Sequence, residues 1–146
     1  MTADVEGDEV PILTSPRGGV PAVVETPAGL DQLAASLAAG SGPVAVDTER
    51  AQGFRYTGRA YLVQFRREGS GNALLDPIPL MPEPGLAPLQ HALADAEWII
   101  HAATQDLPCL VDAGLRPARL FDTELAARLL GYPRVALDTL VEQLLG

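Results

Sequence analysis

Pro43-Val44-Ala45-Val46-Asp47-Thr48-Glu49 is the stretch that decides the fold. A short apolar run rich in β-branched valine reads as a buried β-strand, and this one runs directly into two acids. In a strand, residues i and i+2 point to the same face, so Asp47 and Glu49 project together to one side.

The neighbouring sequence supplies partners for this strand. Arg50–Gly58 holds two glycines and reads as a turn. Ala60–Phe65 is a second strand. Glu68-Gly69-Ser70-Gly71-Asn72 is a hairpin signal, and Ala73-Leu74-Leu75 makes a third strand, ended by Asp76-Pro77. These three strands form an antiparallel meander.

Upstream, Ala22-Val23-Val24 reads as an edge strand. Thr26 caps a helix that has Pro27 at its first position. Leu30, Leu33, Ala34 and Leu37 recur at helical spacing, and Gly40 stops the helix. Residues 1–20 are rich in Asp, Glu, Gly and Pro and read as a mobile arm, so the domain occupies 21–146.

Downstream, four prolines between Pro77 and Pro84 form a link. Leu86–Ala94 reads as a helix, Trp98–Ala102 as a strand buried on both faces, and Thr104–Ala113 as a helix ended by Gly114. Asp122–Leu130 is a further helix, with Asp122 or Thr123 as N-cap. Ala136–Leu145 is the last, with Leu137, Leu140, Val141 and Leu144 on one face. Three antiparallel strands, a helix, a further strand and then helices give an α/β class: a mixed sheet flanked by helices.

The chain has 146 residues, 47% of them hydrophobic, enough for one domain with a core. No apolar run approaches the roughly 18 residues of a membrane span. The acidic N-terminus lacks a basic region followed by an apolar stretch, and the single cysteine, Cys109, permits no internal disulfide. A cytoplasmic protein is expected. The net charge of −9 argues against a protein that coats nucleic acid through phosphate contacts. It does not argue against a nuclease, whose metal ions supply local positive charge and whose site needs carboxylates to hold them.

Two carboxylates as close as Asp47 and Glu49 repel and raise each other's pKa. A divalent cation such as Mg²⁺ or Mn²⁺ relieves that repulsion, and hard cations prefer oxygen ligands. Alone, an Asp-x-Glu pair reads first as solvated acids where a strand meets a loop. Asp106 supplies a partner. The strand Trp98–Ala102 delivers the chain to a helix with Asp106 in its first turn, where the dipole favours a carboxylate. If the two strands are neighbours, Asp106 faces the same pocket.

Four segments taken together resemble the ribonuclease D branch of the DEDD exonuclease superfamily. Val46-Asp47-Thr48-Glu49 resembles its first motif and His101-Ala102-x-x-x-Asp106-Leu107 its second. Leu120–Gly131 resembles its linking helix, and Leu137–Gly146 the helix after that. The resemblance covers about residues 22–146, in the family's order and spacing. It implies a ribonuclease H-like fold and removal of 3′-terminal nucleotides from RNA or single-stranded DNA with two divalent metal ions, Mg²⁺ or Mn²⁺. It also implies that Asp47, Glu49 and Asp106 are catalytic metal ligands, with Asp47 bridging both ions. The family's fourth Asp, with the Tyr or His four residues before it, has no match here. The chain is therefore expected to end before the third motif and to be feeble as a nuclease by itself. A non-catalytic binding fragment with the same fold is the alternative.

Other residues have more than one reading. Thr48, Gln64 and His101 are candidate substrate contacts, and so are Phe54 and Tyr56, which could stack on a terminal base. Packing or pairing is the plainer role for Gln64; His101 reads equally as a strand-end histidine with an ordinary hydrogen bond, and the two aromatics equally as packing on the sheet. Arg50, Arg55, Arg59, Arg66 and Arg67 surround the first two core strands and either grip phosphates or form a solvated rim. Asp122 reads as an N-cap rather than a ligand. Cys109 reads as core.

Overall fold

A computed structural model describes residues 14–16, 18–50, 58–81 and 83–146. Strand β1 (Val23–Val24) leads into helix α1 (Pro27–Ala39). Strands β2 (Ser41–Arg50), β3 (Ala60–Glu68) and β4 (Gly71–Leu75) follow, then a 3₁₀ turn at Ile78–Leu80 and helix α2 (Ala87–Ala92). Strand β5 (Glu97–Ile100), helix α3 (Leu107–Asp112), strand β6 (Arg119–Asp122) and helices α4 (Thr123–Leu129) and α5 (Leu137–Leu145) complete the order.

The strands form one six-stranded sheet in the order β1-β4-β3-β2-β5-β6. The pairs β2–β3 and β3–β4 are antiparallel, which is the meander, while β1–β4, β2–β5 and β5–β6 are parallel. The mixed sheet flanked by helices is the expected α/β architecture. The arm expected over 1–20 falls mostly on residues outside those described, as does most of the turn after Arg50.

Thr26 caps α1 through a hydrogen bond from Gly29 N–H to its Oγ1, and Pro27 sits in the first turn, where its missing donor costs nothing. Leu30, Leu33 and Leu37 of α1 pack against Val44 and Val46 of β2, Val63 and Phe65 of β3, and Trp98 and Ile100 of β5, in one core. Gly40 does end α1, but not by a left-handed turn, since its φ is −69°. A Cβ there would lie 2.8 Å from the Glu68 carbonyl oxygen, so the glycine admits the end of β3. The β3–β4 hairpin turns through Gly69 and Gly71, both at positive φ.

Three expectations need correction. Strand β5 is not buried on both faces: Trp98 and Ile100 are buried, whereas Glu97 and Ile99 are only half-buried. Its second face looks into an open cleft. Helix α3 starts at Leu107 rather than Thr104, because Pro108 fits only a first turn; a helix begun at Thr104 would need its missing N–H. Strand β6 was not anticipated. It is four residues long with no side chain fully buried, so it carries no apolar alternation to read. Among the described residues no helix is long and apolar enough to cross a membrane.

Candidate active site

The alternation of β2 builds the site. Val44, Val46 and Thr48 face the core, while Asp47 and Glu49 share the exposed face. Gln64 lies opposite Asp47 in the β2–β3 ladder, and its Nε2 donates a long hydrogen bond of 3.4 Å to Asp47 Oδ2. His101, just past the end of β5, joins Asp47 and Gln64 in lining a cleft of about 590 Å³. The His101 Nδ1 stands 2.9 Å from Thr123 Oγ1, which fixes the ring.

Asp106 reaches β2 on its buried side. It occupies the cap position before α3 rather than the first turn, and its side chain caps nothing. Instead Thr48 Oγ1 donates to Asp106 Oδ1 at 2.5 Å. Cys109 lies in the core, as expected, with Sγ 3.4 Å from the same hydroxyl. Thr48 was expected among the substrate contacts. Its hydroxyl is turned away from the cleft, because it alternates with Asp47 and Glu49.

The carboxylates act on one another. Partial burial raises the Asp47 pKa above the ordinary carboxylate value, and repulsion from Asp106 raises it further, with a smaller push from Glu49. The Thr48 backbone N–H and Arg50 pull it the other way. Asp47 therefore sits in a negative field made by the two acids that the sequence pairs with it. Among the described residues, no three His, Cys, Asp or Glu side chains stand close enough to enclose a metal ion by themselves. The chemistry of the candidate groups Asp47, Glu49 and Asp106 is that of hard oxygen donors, which suits a divalent cation, and positive charge would relieve the repulsion on Asp47.

Asp122 is the N-cap of α4, as read, accepting from Glu124 N–H and Leu125 N–H. It also accepts from Ala102 N–H and Ala103 N–H, in the turn between β5 and α3. Sequence reasoning missed that second task, along with the Thr48 and Thr123 hydrogen bonds. For Thr48 a signal existed: a polar side chain in the core phase of a buried strand must find a partner.

The arginines divide. Arg67 is tied to backbone carbonyls, at 2.6 Å from Leu37 O and 3.1 Å from Gly42 O, and so belongs to the fold. Arg66 lines the cleft and donates to Asn72 Oδ1 at 2.9 Å. Phe54, Arg55 and Tyr56 lie outside the described residues.

The sheet order and the placement of the acids define a nuclease-like α/β domain, and comparison with known proteins specifies its kind. The 3′-5′ exonuclease family profile matches residues 21–146, and the chain belongs to that family. A ribonuclease D of Jannaschia sp. (strain CCS1) is 37% identical over 123 residues, covering 78% of this chain and 31% of that protein. A crystal structure of a protein from Bifidobacterium adolescentis matches with a TM-score of 0.86 at 45% identity, over 91% of this chain and 32% of that one. Escherichia coli RNase D, an exoribonuclease involved in structured RNA processing, matches with a TM-score of 0.71 at 27% identity, over 84% of this chain and 32% of that one. The domain is thus of the ribonuclease D-like DEDD kind with a ribonuclease H-like fold. The chain spans about a third of the length of these relatives.

Proposed function

We propose that this chain serves as the N-terminal portion, over residues 21–146, of a ribonuclease D-type 3′-5′ exonuclease that hydrolyses terminal phosphodiester bonds of single-stranded RNA or DNA. The observation that carries the reading is the placement of Asp47 at the end of β2, on the wall of the cleft beside Gln64 and His101, where burial and then the charges of Asp106 and Glu49 disfavour its ionised form. A carboxylate so placed costs stability when charged, and a fold keeps such an arrangement where a cation is to be bound.

In this reading Asp47, Glu49 and Asp106 would be the residues that hold the divalent ions, Mg²⁺ or Mn²⁺. When bound, such ions activate water and stabilise the leaving oxygen of an in-line displacement. The chain's own groups prepare that site. Gln64 restrains one oxygen of Asp47, Thr48 fixes one oxygen of Asp106, and Thr123 orients His101 at the cleft. Gln64 and His101 stand beside Asp47 where the last nucleotide would lie. Phe54 and Tyr56 are offered as stacking partners for its base. The same reading places the protein in the cytoplasm, where an unpaired cysteine such as Cys109 stays reduced.

The experiment is an end-labelled digestion by the full-length gene product with Mn²⁺. A single-stranded RNA labelled at its 3′ end should release the label first, as mononucleotide, while the same RNA labelled at its 5′ end shortens stepwise. Release of internal fragments, or no digestion of either, would contradict the reading.

A further inference from the structure

We infer that Asp122 is a positioning residue for the exonuclease reaction, acting through the turn that carries His101 and Asp106. This rests on the proposed function above and adds a residue to it. Asp122 Oδ1 accepts from Ala102 N–H at 3.2 Å, Glu124 N–H at 2.9 Å and Leu125 N–H at 3.2 Å, while Oδ2 accepts from Ala103 N–H at 2.9 Å. A cap of α4 needs only the bonds from Glu124 and Leu125. The other two reach across to a different element.

That element is under strain. Ala102 has φ of +53°, a region that favours glycine and that the alanine Cβ resists. The same two residues hold the site from their carbonyl side. Ala102 O accepts from Gln105 N–H at 2.9 Å, and Ala103 O accepts from Asp106 N–H at 3.1 Å and Leu107 N–H at 2.9 Å. A continuous run of hydrogen bonds therefore leads from Asp122 through Ala103 to the backbone of Asp106. His101 precedes Ala102 directly, and its ring is held by Thr123, the residue after Asp122. One carboxylate and its neighbour thus set both ends of the turn.

Asp122→Asn separates the two tasks. Asparagine caps helices as well as aspartate, and its Oδ1 can keep the bonds from Glu124 and Leu125. Its NH₂ group would face the Ala103 N–H, donor against donor, so of the two bonds to the turn the one from Ala103 is lost while the one from Ala102 to Oδ1 is kept. The expected result is a modestly lowered melting temperature, faster amide exchange at Ala103, weaker Mn²⁺ binding by titration calorimetry, and a kcat lower by about tenfold or more with KM little changed. Adding Ala102→Gly removes the left-handed strain and should restore part of the lost kcat, which a plain cap would not predict.

Wild-type kcat and Mn²⁺ affinity in Asp122→Asn would overturn the inference. Amide exchange in the wild-type chain needs no variant to fold. Protection of Ala102 and Ala103 comparable to that of β5 supports the clamp, and exchange at the free-peptide rate overturns it. Asp47→Ala run in parallel keeps the two readings apart. If it leaves Mn²⁺ binding and activity unchanged, the metal site fails, while exchange at Ala103 still decides the clamp.

Discussion

Thr48 donates its hydroxyl to Asp106 across 58 residues of sequence, at 2.5 Å, in a part of the molecule closed to solvent. Both partners are buried, so neither has water to fall back on. Thr48→Val keeps the shape and removes the donor, leaving a buried carboxylate oxygen unpaired. The expected cost is about 1–3 kcal/mol of stability by urea unfolding. Thr48→Ser keeps the hydroxyl and should retain most of the stability and divalent-ion binding. A larger loss in Thr48→Ser than in Thr48→Val would show that the methyl group, not the hydrogen bond, is what the site needs.

Asp47 and Asp122 respond to pH with opposite signs. Burial raises Asp122, but its four backbone N–H bonds outweigh it and hold its pKa below 3.8. Its contribution to stability is therefore present above that value and lost as pH falls through the lower folded pKa. Asp47 has a raised pKa, through burial and then repulsion by Asp106, so its ionised form is disfavoured in the fold. It costs stability at neutral pH, and the cost disappears as pH falls through its folded pKa toward 3.8. Without divalent ions, Asp47→Asn should melt above wild type at neutral pH, with the gap closing in acid. Added Mn²⁺ should raise the wild-type melting temperature and leave that of the variant unmoved. A variant that melts lower at neutral pH would contradict the repulsion.

The corner where α1 meets β3 can be tested without any ligand. Gly40→Ala puts a Cβ 2.8 Å from the Glu68 carbonyl oxygen and 2.9 Å from Arg67 Cδ. Because one of those neighbours is backbone, the strand end must shift, and a loss of about 1–3 kcal/mol is expected. Arg67→Met removes the donors to Leu37 O and Gly42 O and should also destabilise, without altering divalent-ion affinity. A change in that affinity would restore Arg67 to the phosphate-binding rim.

The sequence made much of this legible, for physical reasons. The alternation from Val44 to Glu49 placed Asp47 and Glu49 together on one face, because period two is imposed by backbone geometry whatever surrounds the strand. Thr26-Pro27 marked the start of α1 because capping and the proline ring act within a few residues. What stayed hidden was long-range. Strand β6 has no side chain fully buried, so its four residues form a strand only because β5 is there to pair with. Asp122 looked complete as a cap, and its bonds to Ala102 and Ala103 join segments about 20 residues apart. The left-handed φ of Ala102 is written in no local motif, since glycine is the residue that usually announces it.

In the proposed function, Asp47 organises a divalent-ion site for removal of 3′-terminal nucleotides. The most direct measurement is release of a 3′-terminal label from single-stranded RNA by the full-length gene product and its Asp47→Ala variant, with Mn²⁺ and with chelator, after circular dichroism has shown both to be folded. Release is expected from the wild type only with Mn²⁺, and none from the folded variant. Undiminished release by Asp47→Ala, or by the wild type in chelator, would contradict it.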